Sequence, residues 1–473
     1  MKLLKDNLGL YTDMYQLSMM ETYFNENRHN SPAAFDYFFR KLPFGGGFVI
    51  FSGLSELIEN LSEIKFTADD IDYLHKIKTG SKFLEYLKNF SFTGNITSVE
   101  EGTIVFPDEP VVTVEGNLAE AQLIETYLLN TLNFNSLIST KASRIRLVAQ
   151  DKILSDFGLR RAQGTGGIQA SKAAVIGGFD STSNVLAAKL FNLNAVGTMA
   201  HSFVQSYDDE LTAFRKFADT HPENAVLVID TYNTLQSGLP NAITVAKEME
   251  LKGQKLKAIR LDSGDLAYLA KAARKKLDDE KLNYVKIVVS NQLDERVVKS
   301  LLEQGAPIDI FGIGTNLITG KPDAALDGVF KLSMCDNKPR LKVSENITKV
   351  TLPGLKKIIR YTDDEGYYQA DAVVLRDEDI VERIIHPFEK EKSKLLLNYK
   401  SHTITKPVVQ NGKSVIKLEP AEIIRERVKE NLSKLPAEYK RFEYPHIYKT
   451  GISEKLMKLR DELKTNYTFD KNG

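Results

Sequence analysis

The chain has 473 residues, 42% hydrophobic and 27% charged, and its 63 Lys and Arg balance 63 Asp and Glu to a net charge of 0. These proportions exclude disorder over most of the length, because enough apolar surface exists to offset the ordering entropy. The missing basic excess argues against a general nucleic-acid binder. The single cysteine, Cys335, excludes an internal disulfide framework and cysteine zinc clusters and fits a reducing compartment.

Residues 1–17 show neither a continuous apolar run nor a small-residue cleavage site, so no leader is expected. Residues 13–23 carry Met14, Leu17 and Met20 at helical spacing. The aromatic run 33–39 reads as a strand that ends in Pro43-Phe-Gly-Gly-Gly47. Residues 102–114 read as two short strands around a Pro-bearing turn, and 118–132 as a helix. These elements make up a first region, 1–130.

Region 131–345 has a different rhythm. Short apolar runs begin at residues 153, 195, 225, 258, 285 and 308, with starts 23 to 42 residues apart. Helix-period stretches fill the gaps, for example 266–277 and 294–304. This alternation requires parallel strands with crossover helices, and six units in sequence favour a barrel over an open doubly wound sheet. The fold class expected is therefore α/β: an irregular parallel barrel beside an α/β domain drawn mainly from the N-terminal region. A C-terminal extension, 346–473, carries a strand at 368–375 and charged helices at 422–434 and 453–464. Residues 190–207 contain no Asp, Glu, Lys or Arg. Their Thr, Ser, His and Asn side chains would be unsatisfied in lipid, so a packed core segment is expected there rather than a membrane span, and the protein is expected in the cytoplasm.

The apolar runs end in polar residues and glycines. In a parallel barrel those ends share one face, where sites are built. Asp156-Phe-Gly-Leu-Arg160-Arg161 leads into Gly164, Gly166 and Gly167, a pattern suited to a phosphate or carboxylate, or else a solvated surface turn. Arg260-Leu-Asp262-Ser-Gly-Asp265 places Arg260 and Asp262 on one side of a strand. Its carboxylates suit sugar hydroxyls or magnesium-borne phosphates, and Asp265 also suits the N-cap of the next helix. Gly197-Thr198-Met-Ala-His201 offers an imidazole as proton carrier, metal ligand or nucleophile. No second His or Cys lies at ligand spacing, which weakens the metal reading. Gly312-Ile-Gly314-Thr315 fits a late barrel loop that binds phosphate, or a plain tight turn.

With Tyr11-Thr-Asp-Met-Tyr15-Gln and Phe38-Phe-Arg-Lys-Leu-Pro-Phe-Gly-Gly-Gly47 added, these ordered motifs resemble the nicotinate phosphoribosyltransferase family from about residue 8 to at least 354. The resemblance implies transfer of phosphoribose from 5-phosphoribosyl 1-diphosphate (PRPP) to nicotinate, driven by ATP, with Mg²⁺, as the entry to NAD salvage. It also implies homodimers with shared sites. By position, His201 matches the histidine that ATP phosphorylates and Tyr15 the ring stacked on the pyridine from a neighbouring subunit. Thr198 and Arg260 match nicotinate contacts, and Arg160 the holder of either the base carboxylate or a phosphate. Asp262 and Asp265 match groups handling ribose or metal-bound diphosphate, and Gly314 and Thr315 those holding the 5-phosphate. The metal ligands are not assigned. Two other readings stand beside this one: a nicotinamide phosphoribosyltransferase, and a noncatalytic phosphosugar-binding regulator.

Overall fold

A computed structural model describes residues 8–469; the first seven residues, part of the stretch read as lacking a leader, and the last four lie outside it. The chain forms two compact units. One comprises Ile138–Ala324 with Pro420–Arg425; the other takes the residues up to Leu137, Ala325–Glu419 and those from Glu426 onward. The chain passes from one to the other within the 25-residue helix Glu125–Ala149, which follows a short helix, Leu118–Leu123. Among the described residues no helix is long and apolar enough to cross a membrane.

The Ile138–Ala324 unit is the α/β barrel. Its sheet orders six strands as Ser181–Thr182, Ile153–Asp156, Ile310–Ile313, Lys286–Ser290, Ala258–Leu261 and Val226–Val228, every adjacent pair parallel. Five of the six apolar runs contain these strands. The run at 195 makes only one parallel bridge, Thr182 to Ala195. Gly197 and the short polar residues around it favour loop over ladder. Ser181–Thr182 is too short and polar to stand out in sequence.

Outer helices start on side-chain caps. Asp265 accepts from Tyr268 N at 3.0 Å ahead of Leu266–Asp279, and Asp294 accepts from Val297 N at 2.9 Å ahead of Glu295–Glu303. Such caps contribute about 0.5–2 kcal/mol each.

Strand register sorts the inward face into tiers. Val226, Ala258, Val288 and Ile310 pack together as the apolar floor. Arg260 is aligned with Val228 and Val288. The tier above, toward the C-terminal strand ends, holds Ser290, Gly312, Ser155 and Ser181. That top tier consists of the smallest side chains, so the barrel mouth is left open.

The stretch 190–207 departs from expectation. It is not a packed core segment: only Leu193, Met199 and Val204 are buried, and the stretch comprises the end of the helix Val185–Phe191, a loop and the short helix His201–Gln205. Its freedom from charge reflects short uncharged side chains around the mouth rather than burial.

The second unit holds a seven-stranded antiparallel sheet centred on Pro32–Phe39 and Val112–Asn117. It also holds a six-stranded sheet in which Tyr368–Leu375 pairs antiparallel with Lys356–Thr362 and parallel with Thr450–Ile452. Two buried ion pairs sit in this unit. Lys356 Nζ lies 2.8 Å from Asp36 Oδ2. Arg360 forks onto Asp371 at 2.9 and 2.6 Å and donates to the Ile104 carbonyl at 2.8 Å. Tyr448 Oη donates to the same Asp371 at 3.2 Å.

The fully buried Glu109 adds a second carboxyl to that cluster. Burial first, then the Asp371 charge, pushes its pKa well above the usual carboxylate range, against the pull of Arg360. The protonated form of Glu109 is therefore favoured, in a medium that penalises net charge. An unfolded Glu109 ionises near its ordinary value, whereas the folded one resists. The stability this group contributes is whole below the unfolded value and is lost as pH rises toward the folded one. The variant Glu109→Gln, which mimics the protonated form, should gain melting temperature relative to wild type as pH is raised from about 5 to about 8. A constant difference across that series would show that Glu109 is ionised in the fold.

Candidate active site

Four of the residues singled out in the sequence meet at the barrel mouth. Arg260, on the Ala258–Leu261 strand, donates from Nη1 to Thr198 Oγ1 at 2.6 Å and to the Met199 carbonyl at 3.1 Å. Its Nε donates to Ser290 Oγ at 3.1 Å, and Nη2 lies 3.3 Å from Asp262 Oδ1. The side chain is 11% exposed. A guanidinium held that dry needs these acceptors, because an unpaired buried charge is costly.

His201 opens the His201–Gln205 helix and is about one-third exposed, with Nε2 3.1 Å from Asp230 Oδ1. Asp230 is 1% exposed. Its Oδ2 accepts from the Asp262 backbone N–H at 2.9 Å and from Ser263 Oγ at 2.6 Å. The loop after Ala195 and the residues after Val226–Val228 share no ladder among the described residues. Arg260–Thr198 and His201–Asp230 bridge that gap with side chains and so close the barrel.

The carboxylates divide by task. Asp156 ends its strand and, one residue on from the inward Ser155, faces the other side of the sheet, toward the helix Gly166–Ile176. It accepts from Gly158 N at 2.8 Å, Ser171 Oγ at 2.7 Å and Thr182 Oγ1 at 2.7 Å. Burial pushes its pKa above the ordinary value, and these three donors oppose the rise; it is an organiser of the loop that follows. Asp262 is 30% exposed and receives a short hydrogen bond from Ser290 Oγ on Oδ1. Asp265 caps its helix and remains exposed at the mouth. The bend between them uses Gly264 at φ +79°, a conformation that side chains with a Cβ resist.

Gly314 and Thr315 follow the Ile310–Ile313 strand, with Thr315 the first residue of a short helical turn ending at Ile318. Arg160 lies in the turn Leu159–Arg161 and is exposed, with no hydrogen bond or ion pair to another described residue. Next to it starts the helix Gly166–Ile176, which has no side-chain cap; the N–H groups of Gly166, Gly167 and Ile168 donate to the carbonyls of Gln163, Gly164 and Thr165. Tyr15 belongs to the other unit, half-exposed on the first turn of Met14–Asn25. Burial, Glu125 and Asp13 raise its phenol above the ordinary value.

Four further groups enter from the structure. Asp230, Ser263 and Ser290 hold the residues above in place. Phe157 lies over Gly312, where a Cβ would meet its ring at 2.4 Å; the half-buried ring is therefore seated on the mouth by the absence of a side chain. The polar strand ends at 230 and 290 are the only sequence signal for the first and third of these. Thr231 Oγ1, next in chain to Asp230, is buried and carries no hydrogen-bond partner among the described residues. Among those residues no group of three or more His, Cys, Asp or Glu is placed to hold a metal by itself.

Comparison with known proteins agrees in order and extent. The model of the nicotinate phosphoribosyltransferase N-terminal domain matches residues 10–133, that of the nicotinate phosphoribosyltransferase family 153–392, and that of the C-terminal domain 355–460. The chain is 43% identical to the nicotinate phosphoribosyltransferase of Bacillus subtilis (strain 168), covering 95% of this chain and 94% of the relative. It is 36% identical to that of Caenorhabditis elegans, covering 94% and 92%. Among solved structures, human nicotinic acid phosphoribosyltransferase superposes with a TM-score of 0.84 at 30% identity, covering 96% of this chain and 99% of that one. The chain belongs to the nicotinate phosphoribosyltransferase family.

Proposed function

We propose that the protein transfers phosphoribose from PRPP to nicotinate, giving nicotinate mononucleotide and diphosphate. We further propose that ATP hydrolysis is coupled to this step through phosphorylated His201, and that the reaction opens NAD salvage from nicotinic acid in the cytoplasm. The observation that carries this reading is the pair of arms at one mouth: a guanidinium with Thr198 for an anionic base, and an imidazole with a buried carboxylate for a phosphoryl group.

The base arm suits nicotinate. Arg260 and the Thr198 hydroxyl can both donate to a carboxylate, and the Phe157 ring offers an apolar face to a pyridine. Tyr15 of a second subunit supplies the opposing ring in the homodimer we propose. The pyridine nitrogen is already nucleophilic, so the step needs no dedicated general base. It attacks the anomeric carbon as the bond to diphosphate breaks. Positive charge builds on the sugar and negative charge on the leaving group, and preorganised dipoles lower that barrier. Asp262 and Asp265 stand where ribose hydroxyls are held, and Gly314, Thr315 and Arg160 where phosphates are held. The part-exposed carboxylate of Asp262 suits a Mg²⁺ ion that arrives with phosphates rather than one caged by protein. When bound, that ion neutralises charge on the leaving diphosphate.

The histidine arm has a defined tautomer. An ionised Asp230 can only accept, so Nε2 carries the proton and Nδ1 the free lone pair. Nδ1 takes the γ-phosphoryl group of ATP, ADP leaves, and the charge that develops on the ring is held by Asp230. The phosphoryl group adds about −1.5 to −2 charges near neutral pH, enough to reorganise binding of phosphates at the same mouth.

Product assays omitting nicotinate, PRPP or ATP in turn test the reaction. Binding of PRPP without diphosphate release would favour a noncatalytic regulator. Equal use of nicotinamide in competition would favour the amide as substrate. His201→Ala should lose nicotinate-stimulated ATP hydrolysis and keep slow ATP-independent transfer; unchanged coupling would overturn the phosphohistidine. Arg260→Ala should weaken nicotinate by about 1.5–3 kcal/mol, the scale of a charged hydrogen bond, and wild-type affinity in a titration would remove Arg260 from the base pocket.

A further inference from the structure

Ser290 sits between the charges of the base arm. It is 4% exposed, at the C-terminal end of the Lys286–Ser290 strand, and register places it one step beyond the Val289–Leu261 pair, beside Asp262. Its oxygen accepts from Arg260 Nε at 3.1 Å while its proton goes to Asp262 Oδ1. No other assignment is available, since a guanidinium cannot accept and an ionised carboxylate cannot donate.

Counting donors shows the consequence. Arg260 has five N–H groups. Nε is used by Ser290, and Nη1 by Thr198 and Met199. Only Nη2 remains, and its approach to Asp262 is long, 3.3 Å. An arginine and an aspartate two residues apart on one strand face would otherwise form a two-pronged pair through Nε and Nη2 with both carboxylate oxygens, the strongest geometry these groups have. Arg360 and Asp371 in the other unit do so, at 2.9 and 2.6 Å. At the mouth, Ser290 occupies the Nε edge and one carboxylate oxygen, and so prevents that fork.

We propose that Ser290 is a positioning residue that keeps Arg260 and Asp262 from collapsing onto each other, which leaves one guanidinium N–H for the base carboxylate and one Asp262 oxygen for the sugar or its metal. This rests on the reading of the base arm given above. The hydroxyl acts only through its neighbours and touches no reacting atom.

The test is a double-mutant cycle read by calorimetric titration of nicotinate, with a crystal structure of the full-length Ser290→Ala variant. Ser290→Ala should weaken nicotinate about tenfold, a 1.4 kcal/mol change, and Ser290→Thr should restore it. In an Asp262→Asn background the same Ser290→Ala change should cost less than about twofold, because a neutral amide does not fork a guanidinium. In the crystal, Arg260 of Ser290→Ala should reach both Asp262 oxygens through Nε and Nη2. Equal losses in both backgrounds, or an Arg260 that stays in place in the variant, would overturn the proposal. If the wild-type protein takes up no nicotinate, the base-arm reading fails, and the crystal structure alone decides the role of Ser290.

Discussion

A positive charge taken most of the way out of water at the top of an apolar barrel sets the terms for everything around it. Arg260 stands directly above a floor of Val226, Ala258, Val288 and Ile310. Desolvation there is tolerable only while the guanidinium is well paired, and its acceptors come from the Thr198 loop, from Ser290 and from Asp262. The same short segment, 260–263, also holds the histidine arm, because Asp230 accepts from Asp262 N and Ser263 Oγ. The two arms proposed for base and phosphoryl group therefore share a backbone, and a shift of that segment would move both together.

The other unit uses charge differently. Lys356–Asp36 and Arg360–Asp371 are both almost fully buried, and they lie within sheets. Burial lowers the basicity of Lys356, with Asp36 opposing the effect. Pairs of this kind gain little net stability over apolar packing and penalise any alternative arrangement that separates them. Arg360 is boxed further by the Tyr368 ring 4.4 Å away and the Phe106 ring at 5.8 Å. A closed fork suits a scaffold, whereas an interrupted one suits a site that must receive a ligand.

Much of this was legible in the sequence. The apolar runs marked five strands because β-branched residues cluster there, and the polar residues ending those runs marked the mouth. Arg260, Asp262, Thr198 and His201 were found as strand-end chemistry and do converge. What stayed hidden was hidden for physical reasons. The Ser181–Thr182 strand has no hydrophobic signal. The Glu125–Ala149 helix outruns its apolar stripe because it buries small polar residues such as Asn135, Ser136, Ser139 and Ser143, which blurs the helical period. Residues 190–207 looked like core because they lack charge, although short side chains around an open mouth produce the same pattern. Phe157 escaped notice because the feature that seats it is the missing side chain at Gly312.

The six residues Pro420–Arg425 belong with the barrel unit although they are encoded about 100 residues after the rest of it. Arg425 donates to the Phe179 carbonyl at 3.2 Å and pairs with Asp180 at 3.4 Å, next to the Ser181–Thr182 edge strand. On the ribosome, at about 5–20 residues per second, that edge emerges many seconds before its brace. The Ser181–Thr182 edge thus waits without its Arg425 contacts until residues 420–425 are made.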